Sequence, residues 1–463
     1  MRDRAGRPPR LAAACLAIAS LSLLLPWALA FDPWSWLVWG RETTRLELDT
    51  AGGPSWKPLP VVATTMLTLA GGAAPALWLV IARAGGLLAV AGAAALAGRL
   101  AGTVAAVTAA AAMAASDWWL FNSALGNSEG LLAAAALWAA VAALSGRHRI
   151  ALALLLAAAL LRPEAWPFLG GYALWLWRTG LEPPGVLAIA LVPVPLLWFG
   201  PDLVGAGGAL GASSAARGTA SPQSAVNADF PALEVLADFA QLLTVPALLA
   251  AAAGAVLGGP IARRLAAAAL AWVALVAVMT QAGYAGNPRY NVTAAAVGCV
   301  LAGVGVAALA RRVGGDERHG VSPPAVAWLL SAALVAGVLG FTAGDLSDQV
   351  AELGDRAERR TQLDALLERV GGADAVNACA PGRTVQPMKA MLAWRLDMGM
   401  EHLADPPRPP AVVFRAPPGY AREPAQPRVN RGFAPVTSEG EWTLLAACAG
   451  GRELTASAAG TGS

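Results

Sequence analysis

The stretch that decides the reading of this chain opens at Phe31-Asp32-Pro33-Trp34-Ser35-Trp36 and closes at Trp56-Lys57-Pro58-Leu59-Pro60, with Glu42, Glu47 and Asp49 between them. Charge is scarce elsewhere, because the chain is 57% hydrophobic and only 14% charged. A charged loop set directly after the apolar run 11–30 is read as an outward connection that carries chemistry. The fold follows from what that run and its successors are.

With a mean hydropathy of +0.54 and Ala, Leu, Val and Gly dominating, the chain has too much apolar surface for a water-soluble globule. It is read as an all-α polytopic membrane protein. Against 30 acidic residues stand 33 basic ones, a net charge of +3, which calls for no nucleic-acid partner. A span needs about 20 mostly apolar residues. Such stretches fall at 11–30, 75–97, 103–121, 129–144, 150–161, 165–177, 185–199, 240–257, 264–282, 290–310 and 324–341, about eleven transmembrane helices. Several are short and rich in Ala and Gly, which suits close helix packing in lipid.

Lys and Arg in short loops favour the cytoplasm. A cytoplasmic N-terminus places Arg2, Arg4, Arg7 and Arg10 there, and alternation brings Arg99, Arg147, Arg149, Arg178, Arg263, Arg264, Arg311 and Arg312 to the same face. This count requires residues 59–71 not to cross; with Pro58 and Pro60 at its start, the segment reads as an interfacial or re-entrant helix. The transmembrane part is then 1–342, with extracytoplasmic loops at 31–60 and 201–239, in a multi-pass protein of the plasma membrane. Ala28-Leu29-Ala30 also resembles a signal-peptide cleavage site, but the apolar run before it is longer than an ordinary signal core. Either way the next loop faces outward.

Residues 343–463 form a polar tail, expected outside as a small C-terminal α/β domain. Helical periodicity runs through 345–370, and 411–414 and 442–447 read as short strands. Cys379 and Cys448 both lie in this tail and could pair in an oxidising compartment. Three histidines and no CxxC offer no zinc-ligand spacing.

Five polar clusters fall on the predicted outer face. Asp32 stands among tryptophans at the end of the first span, where a carboxylate can take a proton from a hydroxyl; capping a following helix is the equally ordinary use of such a residue. Lys57, flanked by prolines, can hold a phosphate by charge-assisted hydrogen bonds or merely snorkel. Glu129 follows Asn127 and Ser128 at a helix start, a place the helix dipole favours for an acid. Arg162-Pro163-Glu164 sets opposite charges at a helix junction, and Asn287-Pro288-Arg289-Tyr290-Asn291 offers a guanidinium able to chelate phosphate oxygens.

The order of these motifs, Asp at the end of the first span, Lys-Pro-x-Pro, a hairpin with Ser-Glu at its outer turn, Arg-Pro-Glu, then Pro-Arg-Tyr, resembles the GT-C superfamily over residues 11–310. These are integral-membrane glycosyltransferases that use polyprenyl-phosphate sugars, and the likeness is greatest to the protein mannosyltransferase and aminoarabinose transferase group, family 39-like. The resemblance implies Asp32 as catalytic base, Lys57 and Arg289 on the donor phosphate, and Glu129 ordering the acceptor or a metal. Arg162, Glu164, Tyr290 and Glu42 are the accompanying substrate-side candidates. The chain departs from the group in having a single Asp32 where an acidic pair is usual, and Leu59 where a second adjacent proline is frequent. A divalent metal, magnesium or manganese, is therefore left open, with Glu42, Glu47 and Asp49 as alternative acids.

The expected activity is transfer of a hexosyl or pentosyl group from a polyprenyl-phosphate donor to an extracytoplasmic hydroxyl of a cell-envelope glycan, lipid or protein, with inversion. Two other classes stay open: a polytopic transporter, which should show internal repeats and charges near the bilayer midplane, and a noncatalytic lipid- or glycan-binding envelope protein. No Walker loop, nucleophile elbow or dinucleotide fingerprint is present in a fitting context.

Overall fold

A computed structural model describes residues 8–50, 52–205, 207–218, 224–313, 323–380, 382–383, 388–403, 408–415, 429 and 432–456. Arg2, Arg4 and Arg7 of the basic N-terminus lie outside them.

The described chain is mostly helical. Its helices are α1 (Pro8–Leu21), α2 (Phe31–Arg45), α3 (Pro58–Leu67), α4 (Ala74–Ala101), α5 (Thr103–Ala114), α6 (Asp117–Ala124), α7 (Glu129–Ala143), α8 (His148–Leu161) and α9 (Trp166–Arg178). They continue with α10 (Pro184–Leu191), α11 (Pro193–Gly205), α12 (Gly211–Gly218), α13 (Pro231–Leu257), α14 (Pro260–Gln281), α15 (Val292–Val313), α16 (Pro323–Arg369), α17 (Gly372–Cys379) and α18 (Lys389–Arg395). Among the described residues six helices are long and apolar enough to cross a membrane, and seven if α5 and α6, bent by 64°, count as one broken span. Shorter apolar helices at Pro9–Leu24, Glu129–Ala143 and His148–Leu161 accompany them. Proline punctuates the starts: Pro58, Pro184, Pro231, Pro260 and Pro288 each take a first-turn position, where the missing N–H costs nothing and the fixed φ already suits a helix.

The centre of the bundle is α15, buried almost throughout and touching α4, α5, α7, α13, α14 and α16. Its approach to α13 is set by two glycines. A Cβ on Gly254 would collide with the Leu301 carbonyl, and one on Gly305 with the Ala250 carbonyl. Without hydration to drive helices together in lipid, such backbone proximity supplies the dispersion contacts that hold them.

The charged segment after the first apolar run is not an open loop. Residues 31–45 form α2, with Asp32 in the first turn and Arg45 in the last, each at the end of the helix dipole that suits its charge. Trp34, Trp36, Leu37, Val38 and Trp39 on this helix are all buried. Thr64 Oγ1 on α3 donates to the Trp36 carbonyl at 2.6 Å, which fixes α3 across α2. The 201–239 connection is likewise partly helical, through the end of α11, α12 and the start of α13. Asp202 there accepts a hydrogen bond from Thr50 Oγ1 at 2.9 Å, tying this connection to the first.

The C-terminal unit carries strands β1 (Gly382–Arg383), β2 (Ala411–Arg415), β3 (Ala434–Glu439) and β4 (Trp442–Ala447). They form one sheet in the order β1-β2-β4-β3, with β1 parallel to β2 and the other pairs antiparallel. The second half of α16, a single helix of 47 residues, lies on this sheet: Trp442, fully buried, donates its indole N–H to the Arg359 carbonyl at 2.9 Å. Cys379 and Cys448 are joined by a disulfide.

This unit is clamped to α2. The Arg41 guanidinium donates to the carbonyls of Ala393 at 3.2 Å, Trp394 at 3.0 Å and Met398 at 2.7 Å and pairs with Asp397 at 3.0 Å. It thereby adds charged donors at the C-terminal end of α18, whose Ala393 and Trp394 carbonyls also accept the backbone N–H groups of Met398 and Asp397. Arg45 joins Asp397 as well, and Lys389 donates to the Gly52 carbonyl at 3.2 Å.

Candidate active site

Helix starts and junctions deliver the charged residues to one place. Asp32 comes from the first turn of α2, Lys57 from the residue before α3, and Glu129 from the first turn of α7. Arg162 and Glu164 stand between α8 and α9, and Arg289 and Tyr290 in the short 3₁₀ turn that enters α15. Turn chemistry places the last pair, since Asn287 Oδ1 accepts the Arg289 N–H at 3.1 Å and the Tyr290 carbonyl accepts the Trp272 indole N–H at 2.8 Å.

The charges form one connected network. Asp32 Oδ2 accepts from Arg289 Nη2 at 2.9 Å and lies 3.7 Å from Lys57 Nζ. Glu129 Oε1 accepts from Arg162 Nη2 at 3.1 Å, with Arg289 Nε at 3.9 Å and Lys57 Nζ at 4.0 Å. Arg162 Nη1 is held by Glu164 Oε1 at 3.0 Å, and its guanidinium stacks 4.0 Å from the centre of the Tyr290 ring. Except for Arg289, whose side chain is 24% exposed, the charged side chains are nine-tenths or more buried. Charges taken this far from water persist only when paired, and three carboxylates face three cations here.

The engagement is uneven. Arg162 makes two hydrogen bonds and a stacking contact. Lys57 has Ser128 Oγ at 3.4 Å, the two carboxylates still farther away, and the face of Trp36 5.0 Å below it. Among the described residues Glu129 Oε2, Glu164 Oε2, Arg162 Nε and Arg289 Nε are buried without a hydrogen-bond partner. Buried polar atoms are ordinarily satisfied, so these four are bonding capacity that the cluster itself leaves unused.

Asp32, Lys57, Glu129, Arg162, Glu164, Arg289 and Tyr290 are thus brought together. Glu42 is not: it sits ten positions along α2 from Asp32, a rise of about 15 Å, and accepts the Asp49 N–H at 3.1 Å. Burial pushes its carboxyl up to about 8, with Glu401 and Asp49 adding to the rise and the Asp49 N–H and Arg41 opposing it. Glu42 therefore belongs to the joint with the C-terminal unit. Glu47 is exposed and Asp49 lies beside Glu42, so neither stands in for a second acid next to Asp32. Sequence reasoning missed the Trp36 face under Lys57; the signal was present, because Asp32 and Trp36 are four apart and share a helix face once α2 is read as helical.

Among the described residues no group of three or more His, Cys, Asp or Glu side chains is placed to hold a metal ion. The donor set also does not suit one, since Lys57 and Arg289 each approach both Asp32 and Glu129 and a dication would meet two positive side chains there.

ArnT from Cupriavidus metallidurans bound to undecaprenyl phosphate superimposes with a TM-score of 0.59 at 14% identity, covering 97% of this chain and 99% of that one. The chain has the ArnT fold. The apo state of ArnT gives 0.57 at 16% identity, over 96% of this chain and 98% of that one. At these identities the ArnT likeness concerns architecture: a membrane helix bundle followed by a C-terminal unit, matched nearly end to end. No family model matches the chain, and no curated protein matches it.

Proposed function

We propose that this chain is a membrane glycosyltransferase of GT-C type that moves a sugar from a polyprenyl-phosphate donor to a hydroxyl acceptor outside the cytoplasm, with inversion at the anomeric carbon. One observation carries the reading: a buried carboxylate, Asp32, stands beside two cations, Lys57 and Arg289, on helix ends at one side of an apolar bundle. The ArnT fold, seen in a protein with undecaprenyl phosphate bound, supports a lipid phosphate as the donor's anchor.

The chemistry needs a base on one side of the sugar and positive charge on the other. The acceptor oxygen attacks the anomeric carbon, its proton passes to the Asp32 carboxylate, and the bond from that carbon to the phosphate oxygen breaks with its electron pair staying on the phosphate. Lys57 and Arg289 meet the charge that develops there, where fixed donors in a dry site act most strongly. Glu129 holds Lys57, Arg162 and Arg289 in register, and Arg162, Glu164 and Tyr290 wall the substrate side. No step is assigned to a metal.

This reading carries its topology with it. The N-terminus is cytoplasmic, and about eleven spans cross if the bent α5–α6 pair, the three short apolar helices and also α9 are counted with the six long ones; residues 1–342 form the transmembrane part, and residues 343–463 form an extracytoplasmic domain in the plasma membrane's outer space. The charges gather at helix ends, which favours an enzyme over a transporter with midplane sites.

The test is sugar transfer from a panel of radiolabelled polyprenyl-phosphate sugars into membranes of a strain lacking the protein. Restoration by wild type but not by Asp32→Asn at matched abundance is the expected result. Equal transfer by both would remove Asp32 from the chemistry.

A further inference from the structure

We infer that Arg289 is shared between Asp32 and the donor phosphate, so that the Asp32 carboxylate stays paired until a polyprenyl phosphate takes the guanidinium away from it. The inference rests on the glycosyltransferase reading and deepens it.

Charge balance leads to it. Among the described residues the cluster holds Asp32, Glu129 and Glu164 against Lys57, Arg162 and Arg289. No cation is in surplus, so an arriving phosphate must take its counter-charge from a carboxylate already present. Arg162 is not available: it is fixed by Glu129 and Glu164 and stacked on Tyr290. Lys57 is held loosely, its nearest oxygen being Ser128 Oγ at 3.4 Å. Arg289 makes one hydrogen bond within the cluster, to Asp32 Oδ2, keeps its Nε unpartnered, and is the most exposed of the charged side chains. Lys57 and Arg289 approach the same Asp32 oxygen. A phosphate that engages both withdraws both from Asp32 and from no other carboxylate's only bond, since Glu129 keeps Arg162.

The consequence is an order of events. While Arg289 Nη2 and Lys57 Nζ approach Asp32 Oδ2 at 2.9 and 3.7 Å, that oxygen faces cations rather than an acceptor hydroxyl. Drawing both cations onto a phosphate turns that oxygen over to the acceptor's hydroxyl, so the donor's arrival readies the base that the acceptor needs. After transfer the same competition runs backwards: Asp32, once it has shed the acceptor's proton, draws Arg289 back and weakens the hold on the spent polyprenyl phosphate. Donor before acceptor, and release of the lipid phosphate helped by Asp32, follow from one shared side chain.

Binding of undecaprenyl phosphate to the detergent-solubilised full chain tests this without a sugar or an acceptor. Four proteins are compared: wild type, Asp32→Asn, Arg289→Gln and the double variant, each first checked for an unchanged unfolding temperature. Asp32→Asn should bind about tenfold more tightly than wild type, a coupling of ordinary size for neighbouring charges, and that gain should vanish in the Arg289→Gln background. The same gain in both backgrounds would mean that Asp32 merely repels the phosphate, and would overturn the sharing while leaving the donor site standing. Unchanged or weaker binding by Asp32→Asn would also overturn it. If wild type itself binds no undecaprenyl phosphate, both this inference and the lipid-phosphate reading beneath it fall. Should Arg289→Gln unfold, Arg289→Lys replaces it in the cycle, where the gain must shrink rather than vanish.

Discussion

Lys57 has Ser128, Asp32 and Glu129 around its ammonium and grips none of them closely. On the proposed reading Lys57 holds the donor phosphate, so Lys57→Ala should raise the donor concentration needed for half-maximal transfer by roughly 10–100-fold, the worth of a hydrogen bond to a charged group, while leaving the fold intact; full activity at wild-type donor levels would take Lys57 off the phosphate. Asp32→Asn should lower transfer by about 10²–10⁴, the usual worth of a positioned base. Glu129 differs from both, because Arg162, Lys57 and Arg289 converge on its Oε1. Glu129→Gln should cost about 3–5 kcal/mol of stability, read as a lowered unfolding temperature before any effect on catalysis is considered. These residues were legible in the sequence because charges are rare in an apolar chain and each stands at a recognisable helix start or Pro-bounded junction. Glu42 was not separable from Asp32 by that logic, since without the helical phase of α2 every acid between Phe31 and Pro60 looks equally near the site.

Among the elements, α2 and the α13–α15 pair bear the most. Gly305→Leu or Gly254→Leu would drive a side chain into the facing carbonyl and should lower the unfolding temperature sharply, whereas a leucine at Gly340, which has nothing around its Cβ position, should be tolerated; equal effects would refute the close-packing account. Glu42 makes the α2 joint sensitive to pH. Its carboxyl rises from an ordinary 4.5 to about 8 on folding, first because of burial, so its contribution is full below the unfolded value and is lost as pH climbs through the folded one. Wild type should therefore unfold more readily at about pH 9 than at about pH 5, and Glu42→Gln should flatten that slope. The apolar helices of the bundle were readable from apolar length, as were β2 and β4 from their β-branched and aromatic runs. Helix α2 was hidden because its mixed apolar and charged composition imitates a loop, and β1 and β3 because their pairing is decided by distant partners rather than by their own residues.

At the scale of the molecule, the disulfide and the Arg41 clamp hold the C-terminal unit together and in place. The disulfide joins residues 69 apart, a loop whose closure is worth about 4 kcal/mol on the chain-entropy account. Thiol labelling of Cys379 and Cys448 should accordingly need prior reduction, and reduced protein should lose protease resistance in this unit first; free labelling of both thiols on intact protein would contradict the bond. The clamp also bears on how the chain comes into being. Arg41 is made long before its acceptors Ala393, Trp394 and Met398, which follow 352 to 357 residues later. At ordinary elongation rates the ribosome needs roughly 20–70 s to reach them. Throughout that interval a guanidinium that ends up buried must remain solvated or be sheltered by a helper. A chain that ends before Ala393 therefore leaves the Arg41 guanidinium without any of the three carbonyls that receive it in the finished fold.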